Sequence, residues 1–199
     1  MRFPMLATDW NVYFHQSCRH PAFVEIFCEL GDVAYEAEIR DPNKNSGQVT
    51  HDHLDHVLTR EVNGLCKSEW PSSARDADIV LASAGALCVV EVERANHEKY
   101  LRDLLKVHGY LYSGIAVGAL VVPENHAHVH GEVSTLKIAQ SHVQNAMTFG
   151  MWNPQYVDRF FLVSYKMRCA ESRVEYSKAI RAKFIRQAKD FHRDTVNLS

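Results

Sequence analysis

The chain contains no C-x-x-C pair, and its five cysteines (Cys18, Cys28, Cys66, Cys88, Cys169) are odd in number and widely spaced. That pattern speaks against both a disulfide framework and a zinc finger, and it reads as free thiols, mostly buried. Long apolar runs are also lacking. The longest, such as 115–123, fall well short of the about 20 residues that cross a bilayer, so no membrane association is expected. The N-terminus has no secretory pattern, because Asp9, Asn11 and His15 interrupt its apolar residues at once. A cytoplasmic location is expected. There is little net charge, −2 at neutral pH, which argues against a protein that coats nucleic acid non-specifically. It leaves a DNA enzyme open, since local charge counts for more than the sum. Repeats, low-complexity tracts and Pro/Gly/Ser-rich linkers are missing as well. The 199 residues therefore read as a single domain, 1–199.

What is present is a mixture of periods. Residues 20–31 predict a short helix, with Pro21 near its start and Gly31 after its end. Residues 33–39 (VAYEAEI) alternate as a strand, and 41–47 (DPNKNSG) form a loop. Residues 51–66 have helical apolar spacing at 54, 57, 58, 62 and 65, with Glu61 on the same stripe. Residues 78–81 and 87–93 predict two strands joined by the small-residue turn ASAG. A helix follows over 97–113, with an expected apolar stripe at 101, 104, 105, 108, 111 and 112. Residues 115–122 are apolar on both faces, as a central strand is. A helix over 134–148, a strand over 160–165 and an amphipathic C-terminal helix over 171–193 complete the order. The class is α/β (α+β), mixed strands and helices around one sheet.

The chemistry sits in carboxylates. Side chains two apart on a strand share a face, so Glu91 and Glu93 project together. Asp78 heads the preceding strand, and a hairpin through ASAG brings it beside them. Glu61 would arrive from the helix before. Like charges this close repel, and burial raises the cost, so a fold keeps such a cluster when a cation neutralises it. Oxygen ligands with no Cys or His suit Mg²⁺, Mn²⁺ or Ca²⁺. Mg²⁺, for which Mn²⁺ can substitute, held by a few carboxylates and waters makes a site for phosphoryl chemistry. Taken alone, E-x-E is a common solvent-facing pattern. Two things outweigh that here: Cys88, Val89 and Val90 make the strand apolar on both faces, and Glu61 sits on an apolar stripe of its own.

The stretch DIVL…VVEVERANHEKYLRDLLK…GALVVPE resembles the core of the PD-(D/E)XK nuclease superfamily. More narrowly it resembles the BglII/BstYI group of type II restriction endonucleases, with BamHI close by. The order of elements matches over about 51–165, and the motifs over about 78–123. The resemblance implies a restriction-endonuclease-like core with a mixed central sheet, and a homodimer that cuts double-stranded DNA with Mg²⁺. Asp78 and Glu91 match its metal-binding pair. Glu93 matches the last residue of the motif, where most of the superfamily has Lys; it would orient or deprotonate the water. Glu61 matches the acid of the preceding helix. Two other roles keep the same fold: a repair, phage or recombination nuclease, and a catalytically silent DNA-binding module.

Other polar groups have plainer readings. His126, His128 and His130 alternate as in a polar edge strand or loop. His51, His53 and His56 suit the capping region of a helix. The basic residues of 171–193, and Asn43, Lys44 and Asn45, could meet phosphates or simply face solvent.

Overall fold

The computed structural model describes residues 2–14, 20–40, 48–50, 53–94, 97–128 and 131–170, together with Ala182 and Arg186. The loop 41–47, His51 and His130 lie outside the described residues. So does nearly all of the expected C-terminal helix over 171–193, of which Ala182 and Arg186 are helical.

The chain opens with a long strand, β1 (Arg2–Phe14), followed by α1 (Pro21–Cys28), β2 (Val33–Arg40) and β3 (Gln48–Thr50). Next come α2 (Leu54–Glu61), β4 (Ile79–Ser83), β5 (Ala86–Val92), α3 (His97–Tyr112) and β6 (Val117–Pro123). The short pair β7 (His126–His128) and β8 (Gly131–Val133) precedes α4 (Thr135–Thr148), α5 (Pro154–Val157) and β9 (Phe160–Cys169). Seven strands make one mixed sheet in the order β3-β2-β1-β9-β6-β5-β4, and β7 and β8 pair separately. The β5, β6 and β9 strands run parallel; every other pairing in the large sheet is antiparallel.

Local sequence accounts for several of these choices. Ala84 and Gly85, at φ 49° and 78°, form the two-residue turn between β4 and β5. Two positive φ values in a row match the right-handed twist of a hairpin. The α2 helix ends sooner than the apolar spacing predicts. Asn63 adopts φ 52° just past it, and the Gly64 N–H closes on the Thr59 carbonyl at 2.6 Å. That is a left-handed stop of the kind that satisfies terminal carbonyls.

The sheet buries both faces. Phe23, Phe27, Leu54 and Leu58 from α1 and α2 cover one side, packed on Val90, Val92, Ala119 and Val121. Tyr100, Leu104, Val107 and Leu111 of α3, with α4 and α5, cover the other, packed on Leu120, Val122 and Leu162. A Cβ on Gly118 of β6 would lie 2.4 Å from a Val107 methyl, so only glycine lets α3 approach this closely. The α3 face is rotated from the expected stripe: Leu105 and Tyr112 are exposed, while Tyr100, Asp103, Val107 and Tyr110 are buried. Helical period fixes which residues share a face, and the sheet selects the face it covers. Here it selects one that carries polar groups. Among the described residues no helix is long and apolar enough to cross a membrane.

Candidate active site

The β4–β5 hairpin sets the first two carboxylates. Ile79 faces Val90 in the antiparallel register, so Asp78, one step earlier, stands beside Glu91. Asp78 Oδ2 accepts the Val92 N–H at 2.8 Å. Burial raises the Asp78 pKa above the ordinary aspartate value. The Val92 bond and the charges of Lys106 and Arg94 oppose the rise, and Asp55 on α2 adds to it.

Glu91 is 1% exposed. Its Oε2 lies 2.5 Å from Lys106 Nζ, and its Oε1 accepts the Tyr110 hydroxyl at 3.1 Å. Burial, with the charge of Asp78 second, pushes its pKa up to about 8 against the pull of Lys106.

Glu93 projects on the same face, also buried. Its backbone N–H extends the parallel ladder to the Val121 carbonyl at 3.0 Å. One carboxylate oxygen accepts the Arg94 N–H at 2.9 Å. Asp103 of α3 is hydrogen-bonded to Glu93 and is only 2% exposed. Its pKa is pushed up to about 6, by burial first and the Glu93 bond second. The Arg102 guanidinium, at 2.9 and 3.0 Å from Asp103 Oδ1, works the other way.

Two of the four expected site residues thus come together: Asp78 and Glu91 stand side by side at one end of the sheet, while Glu93 shares the buried face of Glu91 but meets Asp103 of α3. Glu61 does not share their setting. It is the last residue of α2 and is exposed, not part of a buried stripe. The α2 acid whose charge reaches Asp78 is Asp55, which also pairs with Arg94 at 3.1 Å. Sequence reasoning missed Asp103, Lys106 and Tyr110. Their spacing of three and four residues, on the helix that follows the E-x-E strand, is the signal that could have found them.

Among the described residues no group of three His, Cys, Asp or Glu side chains could hold a metal ion by itself. A pair of carboxylates remains, Asp78 and Glu91. The pair fits Mg²⁺, which usually keeps several waters and takes one or two protein carboxylates. The like charges of that pair, largely withdrawn from solvent, are what a cation would relieve. Of the histidines, His56 lines a cleft that Asp78 also borders. His126 is buried in β7 opposite Val133. His53 takes the N-cap position of α2, with no side-chain capping bond. A cleft of about 620 Å³ opens beside Asp78, lined by residues of α2 and of the segment that follows it.

Neither family models, nor curated proteins, nor solved structures give a match to this chain.

Proposed function

We propose that this chain is a Mg²⁺-dependent endonuclease of the PD-(D/E)XK kind, which hydrolyses phosphodiester bonds in double-stranded DNA as a homodimeric type II restriction enzyme would. One observation carries the reading. Asp78 and Glu91 stand side by side at the end of a buried hairpin, and a lysine and a tyrosine from the crossover helix reach the second of them. The order α2–β4–β5–α3–β6, with β5 and β6 parallel, supports it.

In this reading Asp78 and Glu91 hold the cation. A Mg²⁺ ion held there would supply the chemistry of such sites, polarising a phosphate and lowering the pKa of a water. Lys106 supplies the positive charge that the motif lacks at Glu93. Its ammonium lies against Glu91, and with a cation held by that carboxylate it would be placed to face the charge that grows on the phosphate. The Glu93–Asp103 pair, with one member titrating near 6, is suited to accept the proton of the water. The new P–O bond forms as the bond to the leaving sugar oxygen breaks, and that oxygen takes a proton from solvent water to leave as a hydroxyl. A homodimer follows from the two-fold symmetry of palindromic sites.

The test is incubation of the purified protein with plasmid and with linear duplex, in Mg²⁺, Mn²⁺, Ca²⁺ or EDTA. Discrete double-strand fragments in Mg²⁺ and Mn²⁺ are expected, with Ca²⁺ supporting binding and little turnover. Full activity in excess EDTA, or no cutting in any metal, overturns the proposal. Nicking confined to branched or damaged DNA would reassign the same site to repair.

A further inference from the structure

The α2 helix and the segment after it carry cations that the carboxylate chemistry does not use. Arg60 lies in the last turn of α2 and Lys67 in a 3₁₀ turn (Lys67–Glu69); both are exposed. Among the described residues neither is paired with a carboxylate. They line the 620 Å³ cleft together with His56, Asn63 and Cys66, and Asp78 forms part of its wall. The cleft therefore borders the site at Asp78, and Asp55, paired with Arg94, is its other acidic wall residue.

The cleft is also built rather than incidental. Lys67 Nζ sits 5.5 Å from the centre of the Trp70 ring, a cation–π distance that limits where the ammonium can point. The Trp70 indole N–H donates to the Leu65 carbonyl at 3.0 Å, and the Leu65 N–H donates to Val80 of β4 at 2.7 Å. Gly64 packs so tightly on α2 that a Cβ would fall 2.6 Å from the Thr59 methyl and 3.0 Å from its carbonyl oxygen. The cationic rim is thereby tied to the strand that Asp78 heads.

We infer that this cleft seats the sugar–phosphate backbone of the DNA strand next to the bond being cut, with Arg60 and Lys67 as its phosphate contacts. The inference rests on the nuclease reading and names the surface that reading requires. Two cations on separate segments, neither paired with a carboxylate among the described residues, flanking a cleft with Asp78 in its wall, suit a chain of phosphates better than an apolar ligand. Contacts of this type fix register on the duplex and carry no sequence information themselves.

Cys66 gives a direct probe, because it is an exposed free thiol within the cleft, while Cys28 on α1 is an exposed thiol outside it. The full chain is alkylated with N-ethylmaleimide, with and without a duplex oligonucleotide, in Ca²⁺. Binding is followed by fluorescence anisotropy and each cysteine by mass spectrometry. At a duplex concentration of about ten times Kd, alkylation of Cys66 should slow about tenfold, with Cys28 unchanged. The Arg60→Ala/Lys67→Ala variant should bind more weakly and lose about 1.8 from the slope of log K against log salt, two contacts at about 0.9 each. Both positions are exposed, so a native circular dichroism spectrum is expected. If bound duplex leaves Cys66 as reactive as before, or the salt slope of the variant is unchanged, the cleft is not the seat. The nuclease reading then survives provided the same duplex is still cut in Mg²⁺. If the protein neither binds nor cuts DNA, both fail.

Discussion

Glu91 and Glu93 leave the same strand on the same face, two residues apart, and meet opposite surroundings. Glu91 meets an ammonium and a phenol; Glu93 meets another carboxyl. Burial pushes carboxyl pKa values up in both places, so burial does not distinguish them. What differs is the turn of α3 that each faces. Asp103 lies one turn before Lys106, and Tyr110 one turn after it, so one helical stripe presents an acid to one glutamate and a cation with a hydroxyl to the other. A short polar stripe on a covering helix is thus enough to make two unlike sites from an E-x-E strand. In the proposed reading, the one beside Asp78 holds the metal and the other takes up the proton.

The largest effect expected is on the Asp78 side. Asp78→Asn should bring cleavage to background, a loss well beyond the about 10–100-fold typical of residues that only support a ligand. Folding should survive, since the amide keeps the shape and removes one of two adjacent negative charges; metal-free thermal stability should be equal or higher. Plasmid cleavage and a melting curve check both halves. Wild-type cutting by Asp78→Asn would remove Asp78 from the site. Next in size is Lys106→Met, which leaves Glu91 buried without its cation. Breaking one half of a buried pair costs about 3–5 kcal/mol. The cost here should be less, about 2–3 kcal/mol, because Lys106 is 27% exposed and Glu91 can take up a proton instead. Denaturant unfolding measures it at pH 9, where wild-type Glu91 is ionised. Cleavage should fall by at least about 100-fold if Lys106 faces the growing phosphate charge, as a single preorganised donor does.

Half of this contrast could be read before the structure. The small-residue turn and the double Glu pattern predict that Asp78 meets Glu91 and that Glu93 shares its face. The first is seen in the hairpin register and the second in the contact of both glutamates with α3, because hairpin register and strand alternation are short-range rules. The α3 stripe could not be read in the same way. Its apolar residues permit more than one face, and the choice falls to packing on β6, where Gly118 admits Val107. Glu61 fails for a related reason. Leu54, Leu58 and Val62 do form a buried stripe with Val57 beside it, but Glu61, the last residue of α2, is exposed outside it, and Asn63 and Gly64 end the helix there. The 13-residue β1 had no expectation attached to it. Asp9, at φ 51°, interrupts its pairing with β9 between Thr8 and Asn11, and the irregularity hides the alternation.

A smaller effect separates the two sites by pH. The folded-state pKa of Glu91, about 8, stands above its ordinary value of 4.5. The folded protein therefore holds more protons than the unfolded chain between those values. The stability associated with Glu91 is fully present below about 4.5 and is lost as pH rises through about 8. Melting temperature measured in EDTA should fall across that window, and Glu91→Gln should flatten the fall. Mg²⁺ must displace the same proton, so its affinity should rise with pH up to about 8. A wild-type protein with no pH slope in EDTA would mean that Glu91 is ionised throughout.

The smallest effect should come from Glu93→Gln. A glutamine amide can donate to Asp103 where the glutamate must share a proton with it, so the substitution removes a like-charge contact and keeps the hydrogen bond. Asp103 should then titrate below its present value of about 6. Because that value lies above the ordinary 3.8, Asp103 also contributes stability that is lost as pH rises from 3.8 through 6. Glu93→Gln should reduce this loss, leaving a protein equal to wild type near pH 4 and more stable above pH 6. Cleavage should drop by no more than about tenfold, equivalent to ~1.4 kcal/mol in the barrier, since Asp103 remains to accept a proton. The acid limb of the pH–rate profile should move down with the Asp103 pKa. Asp103→Asn should leave Glu93 as the acceptor, and only the double variant Glu93→Gln/Asp103→Asn should lose the acid limb altogether. If either single variant abolishes cleavage while Lys106→Met is harmless, the roles assigned to the two glutamates are reversed.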